Sequence, residues 1–225
     1  MSVKSHQFPK SEFLFKLVVV GDVGTGKTSL VQRYVRDSVN QQYKPTIGVD
    51  FATKVVTYNE TIIRAQIWDI AGHDRFANMM RVYYRDSHGA VVVCDCSKKD
   101  TVAGAFRWKK DLDYKLVLDN GQPIPAVLLA NKCDLRNEFS TAELHELAIQ
   151  SGFQAAFKIS AKTGANVEEA FEFLIRQVLA AEKDGLYVAP ISHRDHRIHR
   201  LAASEESLDG RHKGKLKDTF RNVCC

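Results

Sequence analysis

At 225 residues, with 32 Lys and Arg against 27 Asp and Glu, the chain is long enough for one ample α/β core with tails and too short for two domains of typical size. Its net charge of +5 is only mildly basic, and no basic face interleaved with aromatics runs through the body, so nucleic acid is not an expected partner. The five cysteines, Cys94, Cys96, Cys133, Cys224 and Cys225, form no C-x-x-C pair, which argues against a disulfide framework or a zinc site and fits a reducing cytosol.

Met1 to Glu12 is polar, contains Pro9 and reads as a disordered lead. Phe13 to Val20 is an apolar run suited to a buried strand, and Ser29 to Arg36 can form a helix. Between them lies Gly21-Asp22-Val23-Gly24-Thr25-Gly26-Lys27-Thr28, a complete G-x-x-x-x-G-K-T in the strand-to-helix setting that a phosphate-binding loop requires. The glycines let successive N–H groups and the helix N-terminus point at one anion, while Lys27 adds a mobile positive charge for the β- and γ-phosphates. Thr28 can place its hydroxyl on Mg²⁺. The motif by itself does not choose the nucleotide.

Asp37 to Thr46 is a polar loop with Pro45. Ile47 to Tyr58 and Thr61 to Asp69 read as two strands joined by the two-residue link Asn59-Glu60, which makes the pair antiparallel. Ala90 to Cys96 and Ala126 to Ala130 are continuous apolar runs suited to central strands, with Ala155 to Ile159 a shorter sixth candidate. Helices are expected in the gaps. Ser140-Thr141-Ala142-Glu143 and Asn166-Val167-Glu168-Glu169 both have the form of a helix start, an N-cap side chain with a carboxylate three residues on. Val167, Phe171, Leu174 and Val178 form the core face of the last helix. The pattern is an α/β fold of the P-loop NTPase type: a mainly parallel six-stranded sheet with one antiparallel strand and helices on both faces. The domain is expected over residues 13–182, followed by a flexible tail, 183–225, with nine Lys and Arg against six Asp and Glu.

Four further stretches fit a guanine nucleotide. Asp69-Ile70-Ala71-Gly72 ends a strand, where the carboxylate can hold a Mg²⁺-bound water and the glycine amide can reach a γ-phosphate. Thr46 sits in a loop long enough to fold over the nucleotide. Mg²⁺ prefers a small octahedral oxygen set that includes phosphates, and Thr28, Thr46 and Asp69 supply the protein's share. In Asn131-Lys132-Cys133-Asp134, a carboxylate after a strand can accept the paired N1–H and 2-amino donors of guanine, a pair that adenine lacks. Ser160-Ala161-Lys162 can offer a backbone N–H to the guanine O6.

From Phe13 to Glu182 the chain resembles a Ras-superfamily small GTPase. Ile47-Gly48-Val49-Asp50-Phe51, Trp68-Asp69, Arg75-Phe76 and Tyr83-Tyr84-Arg85 resemble Rab signatures. Arg81-Val82-Tyr83-Tyr84 and the stretch Asn120 to Asp134 resemble the Rab branch serving lysosome-related organelles. The resemblance implies a GTP hydrolase with two loops, around Thr46 and from Gly72 to Met80, that close on the γ-phosphate and relax when it leaves. It implies nucleotide contacts from Ser29, Val39 and Tyr43 as well, and an effector surface built on the aromatic triad Phe51, Trp68 and Tyr83. Trp68 shares a strand face with Arg64 and Gln66, so a large aromatic lies on an otherwise polar side. Cys224-Cys225 resembles a double geranylgeranylation signal, and two lipid chains anchor stably where one does not. The implied partners are effectors, an exchange factor, an activating protein, and the prenylation and GDP-dissociation-inhibitor machinery. The implied place is the cytosolic face of endosomal, lysosomal or lysosome-related membranes, with a cytosolic pool.

Three positions depart from the family pattern. His73 stands where the family usually has a water-orienting glutamine, so slow intrinsic hydrolysis is expected, with catalysis shared between His73 and the charge of Lys27. The alternative is a GTP-loaded binding scaffold that scarcely hydrolyses. Val23 occupies a place beside the γ-phosphate where Ras proteins have glycine. Val39 stands where the family commonly stacks a phenylalanine on the guanine. Valine keeps apolar contact but loses the ring face, so Val39→Phe is expected to slow GDP release about fivefold, the equivalent of about 1 kcal/mol. An unchanged off-rate rejects this reading.

Overall fold

The computed structural model describes residues 11–38, 44–72, 80–135 and 138–187. The strands are β1 (Ser11–Val20), β2 (Val49–Tyr58), β3 (Thr61–Ile70), β4 (Gly89–Asp95), β5 (Ala126–Asn131) and β6 (Ala155–Lys158). The helices are α1 (Lys27–Arg36), α2 (Met80–Tyr84), α3 (Lys99–Lys115), α4 (Thr141–Gln150) and α5 (Val167–Lys183). The strands form one sheet in the order β2-β3-β1-β4-β5-β6. Only the β2–β3 pair is antiparallel, as expected, and Asn59 and Glu60 both take positive φ (45° and 63°), the geometry that a two-residue hairpin link demands.

The central strands are apolar throughout because both faces are covered. In β1, Phe15, Leu17 and Val19 point to a core shared with α1 and α5, and Val18 and Val20 to a second core shared with α3 and α4. The last helix buries Val167, Phe171, Leu174 and Val178 as its period requires. Tyr34 of α1 stacks on Phe171 with ring centroids 3.9 Å apart, joining the two helices of the first face.

Element bounds differ from expectation at several ends. β1 begins at Ser11, where Ser11 pairs with Thr61. β2 begins at Val49, leaving Ile47 outside the strand and exposed. At the far end α5 runs to Lys183, and Leu186 and Tyr187 continue to pack on the second core, with the Tyr187 hydroxyl donating to the His88 carbonyl at 2.7 Å.

The two expected caps part company. Ser140 Oγ accepts the Glu143 amide at 3.1 Å and Glu143 accepts the Ser140 amide at 2.7 Å, a complete capping box. Asn166 makes no side-chain cap, which corrects the expectation. It takes the left-handed conformation (φ 57°) that asparagine tolerates, and its amide donates to the Lys158 carbonyl instead.

Candidate nucleotide-binding site

Parallel neighbours bring the carboxyl ends of β1, β3, β5 and β6 to one edge of the sheet, so every expected site segment within the described residues lies on that edge. The loop 21–26 leads straight into α1, whose first residue is Lys27. Of residues 23–28, only Thr25 donates its amide to a partner among the described residues, the Asp22 carbonyl at 3.5 Å. A row of unengaged N–H groups at a helix start is an anion cradle. Val23 is 44% exposed at its tip, and Ser29 sits half-buried in the first turn of α1.

Lys27 folds back over this loop. Its ammonium donates to the carbonyls of Gly21 (2.8 Å) and Asp22 (3.0 Å) and is almost wholly buried. Burial pulls it down to about 8, against the opposing pull of Asp69 and Asp22. Gly72 closes on the same spot: a Cβ there would lie 2.6 Å from the Gly21 carbonyl oxygen and 2.7 Å from Lys27 Nζ, so no side chain fits.

Beside Lys27 the three expected metal residues meet. Thr28 Oγ1 donates to Asp69 Oδ2 at 2.5 Å and lies 2.7 Å from Thr46 Oγ1. Since the single Thr28 proton is spent on Asp69, Thr46 is the donor of that second bond. Asp69 Oδ1 is buried without a hydrogen-bond partner, and burial pushes the carboxyl above its ordinary value despite the Thr28 bond and the Lys27 charge. Two hydroxyls and an unsatisfied carboxylate oxygen suit a hard cation such as Mg²⁺. No cluster of three or more His, Cys, Asp or Glu among the described residues offers a rival metal site.

At the other end, Asn131 joins three segments. Its Oδ1 accepts the amides of Lys132 (2.8 Å) and Ala161 (2.9 Å), and its Nδ2 donates to the Thr25 carbonyl (2.8 Å). Lys132 Nζ reaches the Gly24 carbonyl at 2.7 Å and Asp95 Oδ2 at 2.6 Å. Burial pushes the Asp95 carboxyl up, but the bonds from Lys132 and Ser97 outweigh it and hold the group below the usual carboxylate range. Ser160 Oγ donates to Asp134 Oδ1 at 2.7 Å, orienting the carboxylate expected to read the base.

The pattern of the Ras family matches residues 16–180, a span that contains all of these segments. Mouse Rab-32 is 48% identical, covering 76% of this chain and 78% of the relative. Human Rab-32 is 42% identical over 91% and 89%, and human Rab-7L1 is 46% identical over 75% and 84%. The chain belongs to the Ras family and is a Rab GTPase. As such it is a GTP hydrolase that binds guanine nucleotide.

In this Rab GTPase the aromatic triad is partly assembled. Phe51 and Trp68 are cross-strand partners with ring centroids 6.2 Å apart, and Phe51 is 69% exposed. Trp68 is half-buried against the second core with Lys16 Nζ 3.9 Å above its ring. Tyr83 packs on the same core, its hydroxyl close to Gly48. Val39, Tyr43, His73, Cys224 and Cys225 lie outside the described residues.

Three contributors escape sequence reading. Arg33 of α1 donates Nε to the Ala161 carbonyl (2.8 Å) and Nη2 to the Lys162 carbonyl (2.7 Å), clamping the 160–162 turn. Asp95 steadies Lys132, and a lone acid closing an otherwise apolar central strand is the signal that could have found it. Trp108 of α3 donates Nε1–H to Asp22 Oδ1 at 2.9 Å, so the Asp22 side chain faces α3, and only its backbone remains available to phosphate.

A bound anion raises the Lys27 value again, so nucleotide binding takes up a proton once pH exceeds about 8, and affinity falls from there upward. GDP affinity measured by calorimetry in this Rab GTPase is expected to be constant from pH 6.5 to 7.5 and to fall about fivefold between pH 8 and 9. A flat profile through pH 9 would place the titrating charge elsewhere.

Proposed function

We propose that this Rab GTPase cycles between GDP and GTP states to recruit effectors for traffic to, and biogenesis of, lysosomes or lysosome-related organelles. The observation that carries the switch is the contact of three elements around Lys27: the phosphate loop, the Thr28–Asp69–Thr46 oxygens, and Gly72. A γ-phosphate entering there would meet the ammonium and the loop amides and draw in the Gly72 amide and the Thr46 loop. Its loss releases both segments. Thr28, Thr46 and Asp69 would hold Mg²⁺, which when bound would supply positive charge against the phosphates. Asn131, Lys132, Asp134 and the Ser160–Lys162 turn hold guanine, with Val39 and Tyr43 covering the nucleotide from the preceding loop.

Phe51, Trp68 and Tyr83 serve as the effector surface, since an exposed aromatic beside a half-buried indole is apolar area awaiting a partner. Cys224 and Cys225 carry two prenyl chains that place the protein on the cytosolic face of its membrane, with a cytosolic pool kept by a dissociation inhibitor. An exchange factor and an activating protein set the cycle. The lysosome-related assignment rests on the stretches Arg81 to Tyr84 and Asn120 to Asp134. A second reading, a GTP-loaded scaffold with little turnover, is favoured by His73 in the water-orienting place.

Freshly purified protein is expected to carry guanine nucleotide, and held with Mg²⁺ over hours it converts GTP to GDP slowly. Persistent GTP selects the scaffold, and no guanine nucleotide at all rejects both readings. In single-turnover assays His73→Gln is expected to speed hydrolysis on the order of tenfold, about 1.4 kcal/mol of barrier. Equal rates reject a role for that position.

Asp69 supplies a further test. Its folded value lies above the ordinary carboxylate value, so above that ordinary value the charged form costs stability in the nucleotide-free fold. Asp69→Asn is expected to leave the melting temperature of the nucleotide-free protein equal or higher, while chelation of Mg²⁺ no longer accelerates GDP release. If chelation still speeds release as in the wild type, Asp69 does not serve the metal.

A further inference from the structure

We infer that α3 positions the phosphate loop through Asp22, and that Gly104 and Trp108, which meet its carboxylate, set the rate of nucleotide release. Asp22 is held at both ends. Its carbonyl accepts Lys27 Nζ at 3.0 Å and Thr25 Oγ1 at 2.9 Å, and its carboxylate accepts the Trp108 indole N–H at 2.9 Å, with Arg107 Nη2 3.8 Å from the other oxygen. An indole N–H can only donate, and against a carboxylate it forms the charge-assisted bond that is the stronger class.

The approach of the helix is close. A Cβ on Gly104 would lie 1.9 Å from Asp22 Oδ2 and 2.7 Å from its Cγ, so the α3 backbone itself rests on the carboxylate and only glycine permits it. Val102, Ala105 and Leu112 root α3 in the second core, giving the loop a rigid support. Freeing the carboxylate lets the Asp22 carbonyl shift, and with it the oxygen that aims the Lys27 ammonium at the phosphates. These are positioning residues. They act by fixing Asp22, one of the two residues, with Gly21, whose carbonyls hold the Lys27 ammonium.

The test uses the full chain loaded with fluorescent GDP. Trp108→Phe removes the donor while retaining one aromatic ring against the core, and Asp22→Ala removes the acceptor. Each is expected to speed GDP release about threefold to tenfold and to shift or broaden the phosphorus resonance of the bound β-phosphate. Tyr114→Ala, on the same helix but 82% exposed, is expected to change neither. Asp22→Asn keeps an acceptor oxygen and is expected to fall between wild type and Asp22→Ala. The double variant Asp22→Ala/Trp108→Phe should release no faster than the quicker single one, because both substitutions break one bond. Effects that multiply, or a Trp108→Phe protein with wild-type release and an unmoved phosphorus signal, overturn the inference.

Discussion

A buried ammonium and a buried carboxylate side by side constrain everything else at this edge of the sheet. Lys27 is drawn down and Asp69 pushed up, each mainly by burial and each only partly compensated by the other. Neither carries its charge comfortably: the lysine has two carbonyls for company, and one oxygen of the aspartate has nothing. An anion relieves the first and a cation relieves the second. A magnesium nucleotide would relieve both in one event, and the free energy that this burial costs the fold would return as ligand affinity.

The same constraint explains the shape of the neighbouring segments. Gly72 lacks room for any side chain because it rests against Lys27 and the phosphate-loop backbone, which puts the D-x-x-G segment in direct contact with the lysine. Thr46 is tied in by a hydroxyl pair with Thr28 and contributes no charge. The same stretch is fastened again two residues on, where the Ala71 amide donates to the Gly48 carbonyl at 2.9 Å. Both bonds are neutral, whereas the loops after β5 and β6 are fastened to the phosphate loop by the Asn131 and Lys132 network.

How much of this could be read from the chain follows from how local each cause is. The alternation of Phe15, Leu17 and Val19 against Val18 and Val20 appears as one unbroken apolar run because both faces are buried, and that length marks a central strand. Asn59-Glu60 and Ser140 to Glu143 act within a few residues and were legible. Asn166 has the same outward form as Ser140 yet bonds back to Lys158, because asparagine has access to the left-handed region and serine rarely uses it. That Thr28, Thr46 and Asp69 come together was legible from residue type and order. Asp22 misleads, since its partner Trp108 is 86 positions away and no spacing rule links them.

The base-recognition end shows why the order of segments along the chain carries more information than any short string. Asn131 spends its amide on Thr25 and its carbonyl on Lys132 and Ala161, and Lys132 spends its ammonium on Gly24 and Asp95. Both residues are consumed in fastening the phosphate loop to the loops after β5 and β6. Of the three residues Asn131, Lys132 and Asp134, the last is the exposed one, with one oxygen steadied by Ser160. A frame fastened in this way couples position: a shift of the phosphate loop would carry the loops after β5 and β6 with it, Asp134 included.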